Sequence, residues 1–111
     1  MRRVLLIVIG GVTLLLGAAC GSGSLDAAAV ERTEAVQLKD NKFDARVIQV
    51  SAGATVTWSW AEDRLHNVTG DGWASPNQES GTFRQAFDQP GAYDYRCTLH
   101  GGMTGRVVVT D

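Results

Sequence analysis

Residues 92–110 read AYDYRCTLHGGMTGRVVVT, and this stretch decides the fold. Two tyrosines and a cysteine alternate with other side chains over Ala92–Cys97, which predicts a β-strand with one buried face, because successive side chains of a strand point to opposite faces. A run of valines predicts a second strand over Gly105–Thr110. Between the two strands, Cys97–Met103 places a thiol, an imidazole and a thioether within seven residues.

The chain from Ala35 onward shows short apolar alternations separated by turn residues, which is typical of an all-β sandwich or barrel. In Thr55–Trp60, a valine and two tryptophans alternate with hydroxyl side chains, so this strand is expected to bury one face and expose the other. The other predicted strands are Val36–Leu38, Arg46–Val50, His66–Val68 and Gly81–Phe87, and Asp40-Asn41 is predicted to form a turn that leads to Phe43. We therefore predict one domain over residues 35–111 with about seven strands, no long helix and its longest loop over residues 70–80.

Four metal-binding side chains of the soft or borderline kind belong to this domain. The chain has two histidines, two cysteines and two methionines, of which Met1 and Cys20 fall in the N-terminal segment. The remaining four are His66, Cys97, His100 and Met103. The histidine far upstream can join the other three if its strand packs beside the strand that ends at the cysteine.

Two imidazoles and a thiolate in a plane, with a weak axial thioether, form the type 1 or blue copper site. Sulfur ligands favour Cu(I) and imidazole suits both oxidation states, so few atoms move when an electron arrives or leaves. Cys97 would dominate the bonding and produce the intense visible colour. His66 and His100 would complete the plane, and Met103 would set the reduction potential from the axial side. The predicted cofactor is one copper ion, and the predicted function is the transfer of single electrons.

These residues stand in a pattern that resembles the plastocyanin-like cupredoxins, a family of blue copper proteins, over most of residues 35–111. The two-residue gaps on each side of His100 are similar to the short ligand loop of amicyanin-type members. The likeness also includes VSAGATVTW at 50–58, His66-Asn67-Val68, FDQPGAY at 87–93, Tyr95 before the cysteine, and Gly105 with the valines that follow it. The resemblance implies a Greek-key β-sandwich.

The resemblance further implies roles for residues around the metal. Asn67 would fix the ligand loop through hydrogen bonds, as groups behind metal ligands commonly do. The imidazole of His100 would reach the surface within an apolar patch and give partners a short electron path. Leu99 and Gly101 stand where amicyanin-type loops carry prolines, so we expect a less rigid loop here.

The same residues allow other interpretations. Cys97 could form a disulfide with Cys20, since two cysteines in an exported chain invite pairing. Met103 could simply fill the core. A structural zinc site would use cysteine and histidine ligands and no methionine. The three tryptophans are expected to pack in the core or in loops rather than to relay electrons.

The N-terminal residues predict export and lipid attachment. Residues 1–19 contain two arginines, a long apolar stretch and a final Gly-Ala-Ala, which together are typical of a bacterial signal peptide. Cys20 follows directly, as in a lipoprotein lipobox, where it would be acylated on its sulfur and become the mature N-terminus. Residues 20–34 are mostly small, polar and charged, which predicts a flexible tether to the outer face of a bacterial membrane. Plain secretion and an uncleaved anchor are the alternatives, the latter disfavoured because a spanning helix needs roughly twenty apolar residues.

The charge and the motifs of the chain indicate which classes of partner to expect. Without residues 1–19 the chain has eight basic and twelve acidic side chains, a formal net charge of −4, and no lysine or arginine cluster in its sequence, so no nucleic-acid partner is expected. The absence of hydrolase and haem-attachment motifs favours an electron carrier over an enzyme, with a monomeric domain and redox proteins as partners. A copper storage or delivery lipoprotein with the same ligands, and a redox subunit docked permanently to a membrane oxidase or dehydrogenase, are the alternative functions.

Overall fold

The structure, a computed structural model, describes residues 30–111. This part of the chain contains eight strands and no helix. The strands are β1 (Val30–Arg32), β2 (Ala35–Lys39), β3 (Lys42–Asp44), β4 (Val47–Ser51), β5 (Ala54–Trp60), β6 (Thr82–Phe87), β7 (Gly91–Arg96) and β8 (Thr104–Thr110). Nothing in this range has the helical length and apolarity that crossing a bilayer requires. The predicted signal peptide and Cys20 lie outside the described residues.

The strands form two four-stranded sheets, ordered β1-β4-β8-β7 and β3-β2-β5-β6. Strands β1 and β8 both run parallel to β4, and β2 runs parallel to β5, whereas β7 and β8 are antiparallel neighbours. Neighbours such as β4 and β8 are distant in sequence, because the chain crosses repeatedly from one sheet to the other. The predicted all-β sandwich of Greek-key type is therefore confirmed, with eight strands instead of about seven.

The sandwich begins at Val30, within the segment 20–34 for which the sequence predicts a tether. Strand β1 pairs with β4 through its backbone, with Val30 opposite Val47. All three residues of β1 are exposed, so the strand has no apolar alternation that would reveal it in the sequence. Residues 20–29 lie outside the described part of the chain.

The longest connection runs from residue 61 to residue 81, between β5 and β6. The sequence predicts a strand over His66–Val68, and this prediction is wrong: the segment forms isolated bridges instead of a ladder. His66 exchanges backbone hydrogen bonds with Gln78 in its own loop, and Thr69 does so with Arg96 at the end of β7. Because its backbone partners lie on two different elements, the segment joins the long loop to the end of β7.

Trp58 occupies the centre of the core. It is fully buried in β5, and the expected burial of one face of this strand is confirmed by Val56 and Trp60 on either side. Its ring meets the ring of Tyr95 edge to face at a centroid distance of 5.3 Å and that of Trp73 at 5.6 Å. Burial of a large apolar side chain stabilises a fold by about 1.5–3 kcal/mol. Since Tyr95 precedes the cysteine of the predicted site by two residues, this packing fixes the strand that carries the thiol.

Candidate metal centre

Two segments at one end of the sandwich bring the four predicted ligands together. Cys97 is the first residue after β7, and Met103 is the last residue before β8. His100 lies in the turn between them, and His66 comes from the long connection after β5. The two strands are antiparallel neighbours, so the ends of the hairpin hold the cysteine and the methionine side by side.

The three ligand atoms of His66, Cys97 and His100 lie within 4.8 Å of one another. Sγ of Cys97 is 3.9 Å from Nδ1 of His66 and 3.6 Å from Nδ1 of His100. Each imidazole therefore turns its Nδ1 atom toward the sulfur, as two nitrogens and a thiolate would around a single ion.

Met103 is tied to the same loop through its backbone. The N–H of Cys97 donates to the carbonyl oxygen of Met103 at 3.0 Å, and the N–H of Met103 donates to that of His100 at 3.3 Å. These bonds close the loop into a tight turn in which Gly102 has a φ of +83°, a conformation that glycine adopts without steric cost. The side chain of Met103 is 1% exposed, so its thioether is directed into the protein.

Burial differs between the two histidines. His66 is 1% exposed and Cys97 is 2% exposed, whereas His100 is half-buried at the surface. Burial, and secondarily the nearby His100, lower the pKa of His66 below its usual 6.5. His66 is therefore kept neutral at physiological pH, which is the form that binds a metal.

The side chain of Asn67 connects the two parts of the site. Its Nδ2 donates to Oγ1 of Thr98 at 2.7 Å and to Oδ1 of Asn77 at 2.8 Å, while its Oδ1 accepts from the backbone N–H of Thr98 at 3.0 Å and from the hydroxyl of Thr69 at 3.0 Å. Its own backbone N–H points at the Cys97 sulfur at 3.5 Å. A donor at that place lowers the electron density on a thiolate and so tunes the bond that the sulfur makes.

Sequence reasoning found Asn67 through the family resemblance and missed its partners. Thr98 is adjacent to Cys97, so its place at the site could have been expected. Asn77 and Ser75 belong to a loop without periodicity, and Ser75, which accepts from the N–H of Val68 at 2.8 Å, has no sequence signal that links it to the site.

Exposed apolar side chains surround the surface histidine. Leu99 is 42% exposed beside His100, and Leu65 is 45% exposed next to His66, whose ring centre is 4.8 Å from that of His100. Gly101 and the glycine after it add no side chain. The residues next to the two histidines in the chain thus expose apolar side chains, while Asp40, Glu62 and Arg64 place charges on the side of His66.

The donor set fits copper better than zinc, calcium or magnesium. Calcium and magnesium take oxygen ligands, and structural zinc sites take cysteine and histidine without a thioether. Two imidazoles, one thiolate and a nearby thioether match the site that copper occupies in electron-transfer proteins.

Comparisons with known proteins agree with this geometry. The profile of the copper binding proteins of the plastocyanin/azurin family matches residues 30–110. Amicyanin-alpha of Methylorubrum extorquens is 36% identical over 103 residues, which cover 83% of this chain and 86% of that protein. The structure of an oxidised amicyanin variant superposes with a TM-score of 0.63 at 31% identity, covering 68% of this chain and 79% of that one.

A copper-containing nitrite reductase from Thermus scotoductus shares the fold alone, with a TM-score of 0.62 at 24% identity over 69% of this chain. The chain spans 22% of that enzyme. The profile match over nearly the whole described range and the likeness to amicyanin-alpha lead to one conclusion: this chain belongs to the plastocyanin/azurin family of copper-binding proteins.

Proposed function

We propose that His66, Cys97, His100 and Met103 hold one copper ion in a type 1 site, through which the protein passes single electrons between redox proteins outside the cytoplasm. The observation that carries this proposal is the convergence of two Nδ1 atoms on one buried sulfur, at 3.6 and 3.9 Å, beside a buried methionine. When bound, copper supplies the interchange between Cu(I) and Cu(II).

The protein keeps the ligands in place during that interchange. Cys97 and Met103 are joined by a backbone hydrogen bond at the mouth of the β7–β8 hairpin, and Asn67 binds the loop that follows Cys97 to the segment that carries His66. Because the fold holds the ligands from several sides, their positions change little when the charge of the ion changes. Rapid electron transfer in both directions depends on such small rearrangement.

Electrons would pass through His100. Its imidazole is half-buried, with the exposed Leu99 on one side of it in the loop and two glycines on the other, whereas His66 is enclosed. An apolar rim loses little hydration free energy when a partner covers it. The partner can therefore approach the imidazole closely and leave again after one electron has passed.

We further propose that the protein is an electron carrier without a substrate of its own, and that it is exported and held at a membrane. Residues 1–19 would be removed as a signal peptide, Cys20 would be lipidated, and residues 20–29 would tether a monomeric domain to the outer face of the membrane. The burial of Cys97 between two histidines supports its use as a ligand instead of a disulfide partner for Cys20.

The visible spectrum of the copper-loaded protein tests the site. We expect an intense absorption band that disappears with one equivalent of a mild reductant and returns on reoxidation. Cys97→Ser should abolish the band while leaving a folded β-protein by far-ultraviolet circular dichroism. A band that persists in this variant would remove the thiolate from the site.

Mass spectrometry tests the anchor separately. The protein purified from membranes should begin at Cys20 and carry acyl chains there. A mature N-terminus elsewhere, or an unmodified cysteine, would contradict the anchor without affecting the copper proposal.

A further inference from the structure

The outer face of the sheet β1-β4-β8-β7 carries a group of arginines that electron transfer does not use. Val107 of β8 and Ile48 of β4 point into the core, so the alternate residues of these strands point outward. The arginines at outward positions of β1, β7 and β8, together with the one directly before β4, are Arg32, Arg96, Arg106 and Arg46. We call this surface the arginine face.

The arginine face has the opposite charge to the rest of the described domain. Residues 30–111 contain eight basic and eleven acidic side chains, a formal net charge of −3. Among the outward positions of this sheet only Asp94 is acidic, so the arginine face has a net charge of +3 and the remainder has −6. A protein surface with such a local excess is attracted to a partner of negative charge despite the sign of the whole.

Most of the guanidinium groups are available to a partner. Arg106 donates to Asp94 at 2.6 Å and is the one member of the set with an ion pair inside residues 30–111. Arg46 donates to the hydroxyl of Thr104 at 3.2 Å and forms no ion pair within residues 30–111, although Asp94 lies across the groove from it. Arg46, Arg96 and Arg106 line a groove of about 590 Å³ together with one carboxylate, that of Asp94, and the groove can receive a group the size of a phosphate or a lipid headgroup.

Apolar side chains lie among these arginines. Val30 is 37% exposed, and the half-buried Val47 and Val108 occupy outward positions on the central strands. Cationic groups with aliphatic side chains between them suit the boundary of a membrane, where phosphates and acyl chains are close together.

The start of the sandwich lies at the edge of the same face. Strand β1 is the edge strand, and Val30 pairs with Val47, the residue after Arg46. Residues 20–29 therefore join a lipid at Cys20 to this edge, and ten residues reach at most about 36 Å. The described part of the chain thus begins at the border of the arginine face.

We propose that the arginine face docks the domain on the anionic phospholipid headgroups of the membrane to which it is anchored. This inference rests on the proposed anchor at Cys20, which supplies proximity, while the arginines supply orientation. Each arginine close to an anionic bilayer favours the docked state by roughly fivefold, and the attraction weakens as salt screens the charges. With the sheet lying flat on the surface, the ligand end of the sandwich faces along the membrane, toward partners embedded beside it.

Arginine footprinting tests the docked orientation. The copper-loaded chain from Cys20 onward is coupled through the Cys20 thiol to a maleimide lipid in vesicles of phosphatidylcholine alone or with phosphatidylglycerol. Modification of each arginine by phenylglyoxal is then followed by mass spectrometry. On anionic vesicles at low salt we expect Arg32, Arg46 and Arg96 to react several-fold more slowly than on neutral vesicles, with Arg84 on the opposite sheet unchanged. Equal rates on both vesicle types, or equal protection of Arg84, would overturn the proposal.

Two matched triple variants test the same point. Replacement of Arg32, Arg46 and Arg96 by glutamine should weaken the docked state by roughly a hundredfold. Arg106, the remaining member of the face, should react more slowly on anionic than on neutral vesicles in the parent, and this protection should be lost in the triple variant. Replacement of Lys39, Lys42 and Arg84 removes the same charge from the opposite sheet and should leave that protection in place. An acidic polypeptide in solution serves as the alternative partner. If it protects the arginines and neither type of vesicle does, the face binds an acidic protein and membrane docking is contradicted.

Chemical coupling keeps this test independent of the function on which it rests. Failure of natural lipidation appears in the mass of the protein from membranes, and failure of the copper site appears in the visible spectrum. Neither changes the footprint of the coupled chain.

Discussion

The two segments that supply the imidazoles differ in burial and in bonding. Residues 66–68 are buried, and hydrogen bonds tie them to Gln78, Ser75 and the loop after Cys97. Residues 99–102 are exposed or half-buried, and the turn contains two glycines. One side of the site is therefore built for fixed geometry and the other for contact with a partner. Substitutions should separate these two roles. Those in the buried segment should have large effects on metal retention, and those in the exposed turn should have small effects on it.

Asn67→Ala should produce the largest effect, because it removes four side-chain hydrogen bonds, two of which link its segment to Thr98 in the ligand loop. We expect copper affinity to fall by about 10–100-fold, as it does when groups that orient ligands are lost. Competition with a chelator measures this change. Asn77→Ala is the control, since it removes only one of the four bonds. Equal losses in the two variants would show that Asn67 does not fix the site.

Acid should destabilise the copper-free protein through protonation of the buried His66. The pKa of His66 is lowered in the folded state, so below about pH 6.5 the unfolded chain binds the additional proton and the folded chain resists it. The free energy of unfolding should thus fall with decreasing pH in this range, by up to about 1.4 kcal/mol per pH unit. Urea unfolding at several pH values measures the slope, and His66→Asn should flatten it. A slope unchanged by that substitution would assign the effect to other groups.

Met103→Leu distinguishes a ligand from a core residue. Leucine preserves the volume of this buried position, so the fold and copper binding should remain. Loss of a weak donor to Cu(II) should raise the reduction potential, and a tenfold change in relative affinity corresponds to about 59 mV for one electron. A redox titration that gives the original potential would remove the thioether from the axial position.

Leu99→Glu should have the smallest effect on the site itself. The side chain is exposed beside His100, so stability and the visible spectrum should stay within error of the parent. Electron self-exchange between two molecules should slow several-fold, because two like charges would then meet at the contact. Leu99→Ala is the uncharged control. An unchanged rate in Leu99→Glu would place the contact elsewhere.

The sequence predicted the elements that carry apolar periodicity. The buried face of β5, with Val56 and Trp58, and the β7–β8 hairpin around the ligand loop both follow from alternation and turn residues. Strand β1 was not predicted, because a strand that pairs through its backbone without burying side chains shows no apolar alternation in the sequence. The segment 66–68 was wrongly predicted as a strand. It is buried and its backbone bonds to two different elements, and in the sequence such a segment cannot be told from a strand.

Contacts between residues that are distant in sequence could not be predicted either. The contact between Asn67 and Asn77 depends on how a 21-residue connection folds back on itself, which residue types alone do not specify. The arginine face is a similar case. Its four members are separated by ten residues or more, so no basic cluster is visible until the sheet places them side by side.

The origin of the donors in different sheets has a consequence for maturation. His66 follows a strand of one sheet, while the other three donors connect two strands of the second sheet. In an unfolded chain only the three donors near the C-terminus are held close together, so full affinity arises when the two sheets have packed against each other. Bound copper then links the two sheets, and the free energy of unfolding rises with the logarithm of the free copper concentration.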